Sequence, residues 1–525
     1  MRKTIWFVRW LPPLPVAVSA VVSGVLLALA FPPASLGLLV FVAMVPLIVA
    51  LYRSTYEPRV FFRAGYLFGN TFWLIHMWWI VKLLPTASMS IPWLMFPSLI
   101  LISLYLSVYP GLAFYLLARL ARRSRVAIIL TGPALWGLLE MARSGSEFGF
   151  PWGTIGNVLG PFPGLIQSAS IVGLFGIGMF IVLVNFVWGQ VSLARDLRVR
   201  IAFFVAGTAL VGLAAIHGQM TISRFDQREA GDPVTVAIAQ PNVDLRLKWE
   251  PAFRDSTFRL IERICRDAAA TDARLVVFPE TSAPVYLRFL PNYLNQFSRL
   301  ANELDLGIYI GFIDGRYEGP NDSLLVFNSC ALFDKQGVYH QYDKTQLLPF
   351  GEAIPYGWKF PVLSKLDFGQ ANFHPGPARP PTPSRVGALG PMICFEAIFP
   401  GIARDHSKRG AQLLVTITND GWFGDSPGPY QHKEMTILRT VENRKYLVRS
   451  SNTGVSMIVD PVGRITHQLG LDVDGLVVGT IRPMNEMTIY TRFGDWPVRV
   501  AALLMIAIGA VVARLRPSSS QRSFL

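Results

Sequence analysis

Long uncharged apolar runs fill most of the first 217 residues, and one more run lies near the C-terminus. The hydrocarbon core of a bilayer is about 30 Å thick, so a helix that crosses it needs roughly 20 apolar residues. The runs therefore predict eight membrane-spanning helices. They are expected near residues 14–31, 36–52, 64–81, 90–118, 126–142, 165–189, 201–217 and 497–513.

Between residues 218 and 496 the pattern changes to short strands that alternate with amphipathic helices. PVTVAIAQPN has apolar residues at every second position, as in a strand, whereas FRDSTFRLIERICRDAAA has helical spacing. Strands with intervening helices predict a layered α/β domain, with sheets inside and helices outside. The clearest elements are the strand 233–242, the helix 253–270, the strand 273–280, and helices near 291–305 and 398–409.

Arginine and lysine placement orients the predicted helices. Short loops rich in these residues stay cytoplasmic, and such residues occupy both termini and every second loop, whereas the opposite loops hold only Lys82 and Arg143. Both termini are therefore expected in the cytoplasm, and residues 218–496 on the other side. The basic groups are Arg2, Lys3 and Arg9; Arg53, Arg59 and Arg63; Arg119, Arg122, Arg123 and Arg125; Arg195, Arg198 and Arg200; and Arg514, Arg516 and Arg522.

Composition agrees with this division. With 52% hydrophobic residues, the 525-residue chain is more apolar than an ordinary soluble protein. Its net charge of +14 lies largely in loops on one side of a membrane, whereas a nucleic-acid partner would require a clustered basic face. We expect no nucleic-acid partner, and three parts: a seven-helix membrane domain (1–217), an extracytoplasmic domain (218–496), and a final helix with a cytoplasmic tail (497–525).

The N-terminus has a second interpretation. Arg2 and Lys3, the apolar run and the small residues Ala28-Leu29-Ala30 also fit a cleavable signal peptide. Cleavage would leave the topology of the following spans unchanged, so the charge pattern does not separate the two interpretations.

Three predicted strand ends in the α/β domain carry reactive side chains: Glu280, Lys344 and Cys394. A cysteine attacks as the thiolate, and a helix N-terminus or a nearby cation lowers the thiol pKa; both are expected at Cys394. Glu280 would act as general base and then acid, and Lys344 would stabilise the oxyanion of a tetrahedral intermediate. The backbone N–H of Phe395 is a candidate second oxyanion donor.

Several motifs carry a resemblance to known families. FPE, YDK followed by LLPFGE, and ICFE resemble, in this order, the Glu-Lys-Cys set of the nitrilase superfamily. Together with eight spans, the chain resembles more closely the apolipoprotein N-acyltransferase family over nearly its whole length. The further motifs are KWEP around Trp249, TNDGWFGDSPGPYQH (418–432), RTVENRKYLVRSSNTG (439–454) and RFGDWP (492–497).

The resemblance implies a nitrilase-like αββα sandwich facing the periplasm from the bacterial inner membrane. It implies that Cys394 takes an acyl chain from phosphatidylethanolamine as a thioester and passes it to the N-terminal amine of a diacylglyceryl-cysteine apolipoprotein. No cofactor or metal is expected. Glu352 and Glu396 match further functional acids, with a structural ion pair or turn as the alternative. Trp249 matches an aromatic near the lipid site, with simple packing as the alternative. Phe395 departs from the tyrosine frequent in the family.

Other residues have simpler interpretations. Trp358 and its aromatic loop suit a membrane interface, with interdomain packing as the alternative. His432 lacks a convincing ligand set and is interpreted as structural. A disulfide between Cys265 and Cys330 would need a geometry that spacing does not establish, and buried free thiols are favoured.

Two other functions remain open at this point. A membrane-anchored nitrilase-type amidase would use the same three residues but transfer its acyl group to water. A non-enzymatic transporter or receptor would carry ionisable residues along a path through the membrane, whereas the predicted spans offer mainly His76 and Glu140.

Overall fold

Helical segments occupy all eight predicted spans in the computed structural model, which describes residues 10–83, 95–121, 124–228, 231–318, 323–335, 339–357, 359–364 and 371–515. The first residues of the span 90–118 lie outside these ranges. The membrane part contains the helices Leu14–Ala30, Val45–Arg53, Pro58–His76, Met95–Ala121, Arg125–Arg143, Pro163–Ile166, Ala169–Leu193, Leu197–Asp226 and Trp496–Leu515, and the 3₁₀ helices Gly37–Phe41, Trp78–Leu83 and Ile155–Leu159.

Length and composition alone qualify five of the described helices to cross a membrane. The segments Leu14–Ala30 and Gly37–Arg53 are apolar but shorter. The helix Pro58–His76 begins before the predicted span 64–81. The qualifying helices are Met95–Ala121, Arg125–Arg143, Ala169–Leu193, Leu197–Asp226 and Trp496–Leu515.

The prediction of one continuous helix over 36–52 is wrong. A 3₁₀ helix, Gly37–Phe41, is followed by a separate α-helix, Val45–Arg53. Pro46 lies in the first turn of the second helix. Proline has no backbone N–H to donate and is favoured in a first turn, so the new helix begins there.

The α/β domain is a sandwich of two sheets. Its strands are β1 Val234–Gln240, β2 Leu275–Val277, β3 Ala283–Tyr286, β4 Gly307–Tyr317, β5 Leu324–Phe333, β6 Tyr339–Asp343, β7 Leu389–Ile393, β8 Leu413–Thr418, β9 Tyr446–Ser451, β10 Ser456–Val459, β11 Ile465–Leu469 and β12 Gly475–Ile481. The order β12-β1-β2-β4-β5-β6, with β3 paired to β4, forms one sheet, and the order β11-β10-β9-β8-β7 forms the other.

Helices cover both outer faces of the sandwich. Alternate residues of β1 show the layering: Val236 and Ile238 pack between the sheets, whereas Ala237 and Ala239 pack under the helices on the outside. This confirms the predicted αββα order. The helices of the domain are Leu245–Lys248, Arg254–Ala269, Pro291–Glu303, Pro361–Ser364, Pro400–Lys408, Gly428–Asn443 and Ile489–Phe493, and its 3₁₀ helices are Pro251–Phe253, Leu287–Phe289, Cys394–Ile398 and Asp420–Phe423.

One helix, Gly428–Asn443, joins the sandwich to the membrane part, and we call it the linking helix. Its apolar residues belong to the same buried cluster as side chains of the membrane helices. Among them, Leu438 and Val441 are fully buried. The outer layer of the sandwich and the membrane helices therefore share one hydrophobic core.

Polar contacts fix the linking helix against the membrane part. The side-chain oxygen of Gln431 accepts hydrogen bonds from the indole nitrogens of Trp79 (3.0 Å) and Trp152 (2.8 Å). Its amide nitrogen donates to the carbonyl oxygens of Pro32 and His76, both at 3.1 Å. Gln431 thus satisfies four groups from three segments of the membrane part.

Replacing Gln431 by Met should lower the apparent Tm of the purified protein in detergent by several degrees. Each buried polar group left without a partner costs about 1–3 kcal/mol, and the substitution removes the partner of four. The control is Gln468→Met, at an exposed position on β11. Equal Tm values for the two variants would contradict this role of Gln431.

Candidate active site

The two sheets bring the three predicted reactive side chains together. Glu280 lies three residues after β2, and Lys344 and Cys394 directly follow β6 and β7. The Lys344 Nζ atom is 3.9 Å from Glu280 Oε1, and both charges act on the Cys394 thiol. Glu280 and Lys344 are buried, whereas Cys394 is half-buried.

Hydrogen bonds hold both oxygens of the Glu280 carboxylate. The Asn328 side-chain nitrogen donates to Oε1 at 2.7 Å, and the backbone N–H of Asn419 donates to Oε2 at 3.0 Å. Asn328 lies on β5, and its sequence context, SLLVFNSC, gave no signal of this role. The orientation of Glu280 thus depends on residues far from it in the chain.

Lys344 is held between two acidic residues. Its Nζ donates to Glu352 Oε1 at 2.8 Å, and Asn328 donates to the same oxygen at 3.0 Å. Burial alone would lower the pKa of Lys344, but Glu352 and Glu280 outweigh it and raise this pKa above its ordinary value. The lysine therefore stays cationic across the neutral pH range, as stabilisation of an oxyanion requires.

The backbone of Cys394 adopts a left-handed conformation with a φ of 52°. L-residues other than glycine seldom take this conformation, and it recurs at functional sites where the surrounding structure enforces it. It turns the chain sharply from β7 into the 3₁₀ helix Cys394–Ile398.

The expectation of a lowered thiol pKa is wrong. Burial raises the pKa of Cys394 above its ordinary value, Glu280 raises it further, and Lys344 only partly opposes this. The helix that begins at Cys394 is a five-residue 3₁₀ helix, which is too short to contribute a strong dipole. The raised pKa favours the neutral thiol of Cys394, and a neutral thiol needs a base before it can act as a nucleophile.

Glu396 forms hydrogen bonds both to the residues that follow Lys344 and to the last residue of β7. Its Oε1 accepts from the backbone N–H of Thr345 (2.7 Å) and of Gln346 (3.1 Å) and from the Tyr342 hydroxyl (2.8 Å). Its Oε2 accepts from the Ile393 N–H at 2.7 Å. Glu396 is fully buried, so this geometry fits a positioning residue.

The predicted aromatic residues occupy different environments. The Phe395 ring is buried and packs against Phe150 of the membrane part, with ring centroids 5.9 Å apart. Trp249 is 45% exposed and lies beside Lys248, whose Nζ donates to the Glu280 carbonyl oxygen at 3.1 Å. Trp358 lies outside the described residues.

The other cysteines and His432 are all buried. Cys265 and Cys330 are free thiols. The Nε2 atom of His432 is 3.2 Å from the carbonyl oxygen of Cys394, and its Nδ1 is 2.9 Å from Asp420 Oδ1. Both ring nitrogens thus face hydrogen-bond partners within the site.

Glu280→Gln should speed alkylation of Cys394 by iodoacetamide at pH 8. The carboxylate raises the thiol pKa, so removing its charge lowers that pKa and increases the thiolate fraction at a given pH. Lys344→Met should slow the reaction by the opposite effect. In the wild type the rate should keep rising above pH 8.5, the approximate pKa of a free thiol. Slower alkylation of Glu280→Gln at every pH would contradict this electrostatic account.

Two parts of the chain match models of known protein families. Residues 23–187 match the family model of the apolipoprotein N-acyltransferase N-terminal domain, and residues 235–486 match that of carbon-nitrogen hydrolase. Among solved structures, Saccharomyces cerevisiae Nit3, a member of branch 10 of the nitrilase superfamily, is 18% identical, with a TM-score of 0.38, covering 49% of this chain and 93% of that chain.

Two curated relatives match along nearly the whole chain. The apolipoprotein N-acyltransferase of Geobacter metallireducens is 35% identical over 500 residues, which are 94% of each chain. That of Gloeobacter violaceus is 31% identical over 503 residues, again 94% of each chain. The chain therefore belongs to the apolipoprotein N-acyltransferase family.

Proposed function

We propose that this enzyme of lipoprotein N-acylation uses Cys394 as its nucleophile, Glu280 as its general base and acid, and Lys344 as its oxyanion partner. The acyl donor is phosphatidylethanolamine, and the acceptor is the N-terminal amine of a diacylglyceryl-cysteine apolipoprotein. The observation that carries the proposal is the Cys394 thiol beside Glu280 and Lys344, at the edge of the sandwich that packs on the membrane helices.

The first half-reaction forms a thioester. Glu280 accepts the thiol proton as the sulfur of Cys394 attacks the ester carbonyl carbon of the phospholipid. Lys344 and the backbone N–H of Phe395 stabilise the resulting oxyanion, a contribution of about 10²- to 10³-fold in rate per donor. The ester C–O bond then breaks, and Glu280 returns the proton to the oxygen of the leaving lysophospholipid.

The second half-reaction forms an amide. The amine nitrogen of the lipopeptide attacks the thioester carbonyl carbon and loses a proton to Glu280. The C–S bond breaks, and the sulfur of Cys394 recovers the proton from Glu280. The raised pKa of the Cys394 thiol suits this cycle, because the enzyme begins and ends it with a neutral sulfur.

Glu352 and Glu396 support this chemistry by position. Glu352 pairs with Lys344 and thereby fixes its ammonium group beside Glu280. Glu396 holds the segment after Lys344 against the strand that ends at Cys394. We assign Trp249 and Trp358 to the shaping of the lipid site, consistent with the 45% exposure of Trp249.

The positions of arginine side chains support a periplasmic sandwich. Arg53, Arg125 and Arg200 donate to carbonyl oxygens at the C-terminal end of the helix Ala169–Leu193. The N-terminal end of that helix contacts the linking helix, where the Leu174 N–H donates to Glu442 at 2.9 Å. Clustered arginines mark the cytoplasmic side, so the sandwich lies at the opposite, periplasmic end.

The proposed division of the chain follows from this orientation. Residues 1–217 form the membrane domain with seven spans, 218–496 the periplasmic catalytic domain, and 497–525 the last span and a cytoplasmic tail. The location is the bacterial inner membrane, where phospholipid donors and lipid-anchored acceptors reach the site from the same leaflet.

Incubation with phosphatidylethanolamine alone should leave one acyl chain on Cys394. Intact-mass spectrometry should detect this adduct, and hydroxylamine should remove it, because it is a thioester. Cys394→Ala should form no adduct, since loss of a nucleophile costs on the order of 10⁶-fold in turnover. An acyl group mapped to another residue would overturn the proposal.

The roles of Glu280 and Lys344 are tested in the same assay. Glu280→Gln should acylate at least about 10²-fold more slowly through loss of the base. Lys344→Met leaves the Glu352 carboxylate unpaired, which itself destabilises a buried site. The double variant Lys344→Met/Glu352→Gln removes both charges. If it folds like the wild type and still acylates slowly, the loss lies in oxyanion stabilisation; if it regains wild-type rates, Lys344 has no such role.

Cysteine labelling should place the sandwich outside the cytoplasm. In a Cys394→Ala background, Cys265 and Cys330 are buried, so an introduced cysteine reports its own location. Asn295→Cys, at an exposed position of the sandwich, should react with a membrane-impermeant maleimide in intact spheroplasts. Arg195→Cys, exposed in a predicted cytoplasmic loop, should react only after permeabilisation. The reverse pattern would exclude the proposed orientation.

A further inference from the structure

We propose that His432, held by Asp420, is a positioning residue that sets the orientation of the oxyanion donor at Phe395. This inference rests on the proposed acyl-transfer function and adds a residue to its machinery. His432 lies in the motif TNDGWFGDSPGPYQH and is buried.

The peptide unit between Cys394 and Phe395 connects His432 to the oxyanion donor. The carbonyl oxygen of Cys394 and the N–H of Phe395 belong to the same planar peptide and point in opposite directions. His432 Nε2 lies 3.2 Å from that carbonyl oxygen. Because a carbonyl oxygen only accepts, Nε2 carries the proton in this contact. A hydrogen bond that fixes one end of the peptide thereby fixes the direction of the N–H at the other end.

The N–H of Phe395 is placed for this task by the local fold. Phe395 lies in the first turn of the 3₁₀ helix Cys394–Ile398, where backbone N–H groups have no helical acceptor. The left-handed φ of Cys394 sets the direction of this turn. Such a conformation persists only where surrounding contacts enforce it, and His432 supplies one of those contacts.

Asp420 holds His432 in this orientation. Its Oδ1 is 2.9 Å from His432 Nδ1 and accepts from the Thr418 hydroxyl at 2.9 Å, and the Arg449 guanidinium lies 3.3 Å from the same Nδ1. Its Oδ2 accepts from the Arg449 guanidinium at 2.7 Å. The Asp420, His432 and Arg449 side chains are almost completely buried, so water competes little for these hydrogen bonds.

Two branches lead from Asp420 to the nucleophile. One runs through His432 to the carbonyl oxygen of Cys394. The other runs through the Thr418 hydroxyl, which is a hydrogen-bond partner of the Cys394 thiol. A single carboxylate thus orients both the backbone and the sulfur of the residue that forms the acyl-enzyme. A histidine that only filled space would not need an aspartate partner that also reaches the Cys394 thiol through Thr418.

The position of His432 links the site to the membrane part as well. Its ring stacks on Trp152, with ring centroids 5.7 Å apart and planes at 28°. The neighbouring Gln431 accepts from the same tryptophan. Gln431 and His432, two adjacent residues of the linking helix, therefore both contact Trp152 of the membrane part.

A pair of amide substitutions tests the inference. The amide nitrogen of glutamine can take the place of His432 Nε2, whereas that of asparagine matches Nδ1 and cannot reach the Cys394 carbonyl. His432→Asn should therefore lower kcat for acylation about 10²-fold, the cost of one oxyanion donor. KM for phosphatidylethanolamine should change less than about threefold. His432→Gln should recover most of the loss and remain within about tenfold of the wild type.

Alkylation of Cys394 by iodoacetamide separates positioning from folding. This reaction forms no oxyanion, so His432→Asn should alkylate at close to the wild-type rate while it acylates slowly. Wild-type acylation by His432→Asn, an equal loss in both reactions, or equal losses in the Asn and Gln variants would each overturn the inference. Absence of an acyl-enzyme in the wild type would instead contradict the proposed function on which it rests.

Discussion

The linking helix, Gly428–Asn443, is buried between the sheet that contains β7 and the helices of the membrane part, and the rest of the molecule relies on this packing. Its apolar side chains join both parts into one core. Its polar side chains satisfy buried groups across the junction, Gln431 toward two tryptophans and Glu442 toward the Leu174 N–H. A polar group buried without a partner is costly, so these contacts permit few relative positions of the two parts. Cys394 is therefore fixed with respect to the helices of the membrane part.

Electrostatics then determine how the site works. One lysine lies between Glu280 and Glu352 and keeps its charge, whereas the Cys394 thiol, beside Glu280 and largely buried, keeps its proton. In the proposed mechanism, such a site attacks only when a substrate is present and Glu280 can accept the proton. A neutral resting sulfur is also less open to oxidation than a thiolate.

Much of this architecture follows from local sequence patterns. The apolar residues at every second position of β1 and the helical spacing of apolar residues in Arg254–Ala269 are visible within each segment. The predicted strand ends also carry Glu280, Lys344 and Cys394. Properties that arise from tertiary contacts did not follow. The direction of the Cys394 pKa shift depends on burial and on Glu280, and the partners of Glu280 include Asn328 from β5, which no motif marks. The break within 36–52 reflects Pro46, whose position in the first turn of a new helix an apolar count does not register.

We propose that Cys394 carries an acyl chain from a phospholipid to an amine. The most direct measurement supplies the purified enzyme with phosphatidylethanolamine bearing isotope-labelled acyl chains and with a diacylated lipopeptide, and follows the label by mass spectrometry. We expect one labelled chain in amide linkage at the peptide N-terminus, an equal amount of lysophospholipid, and neither product with Cys394→Ala. Label recovered only as free fatty acid, or transfer that persists in Cys394→Ala, would contradict it.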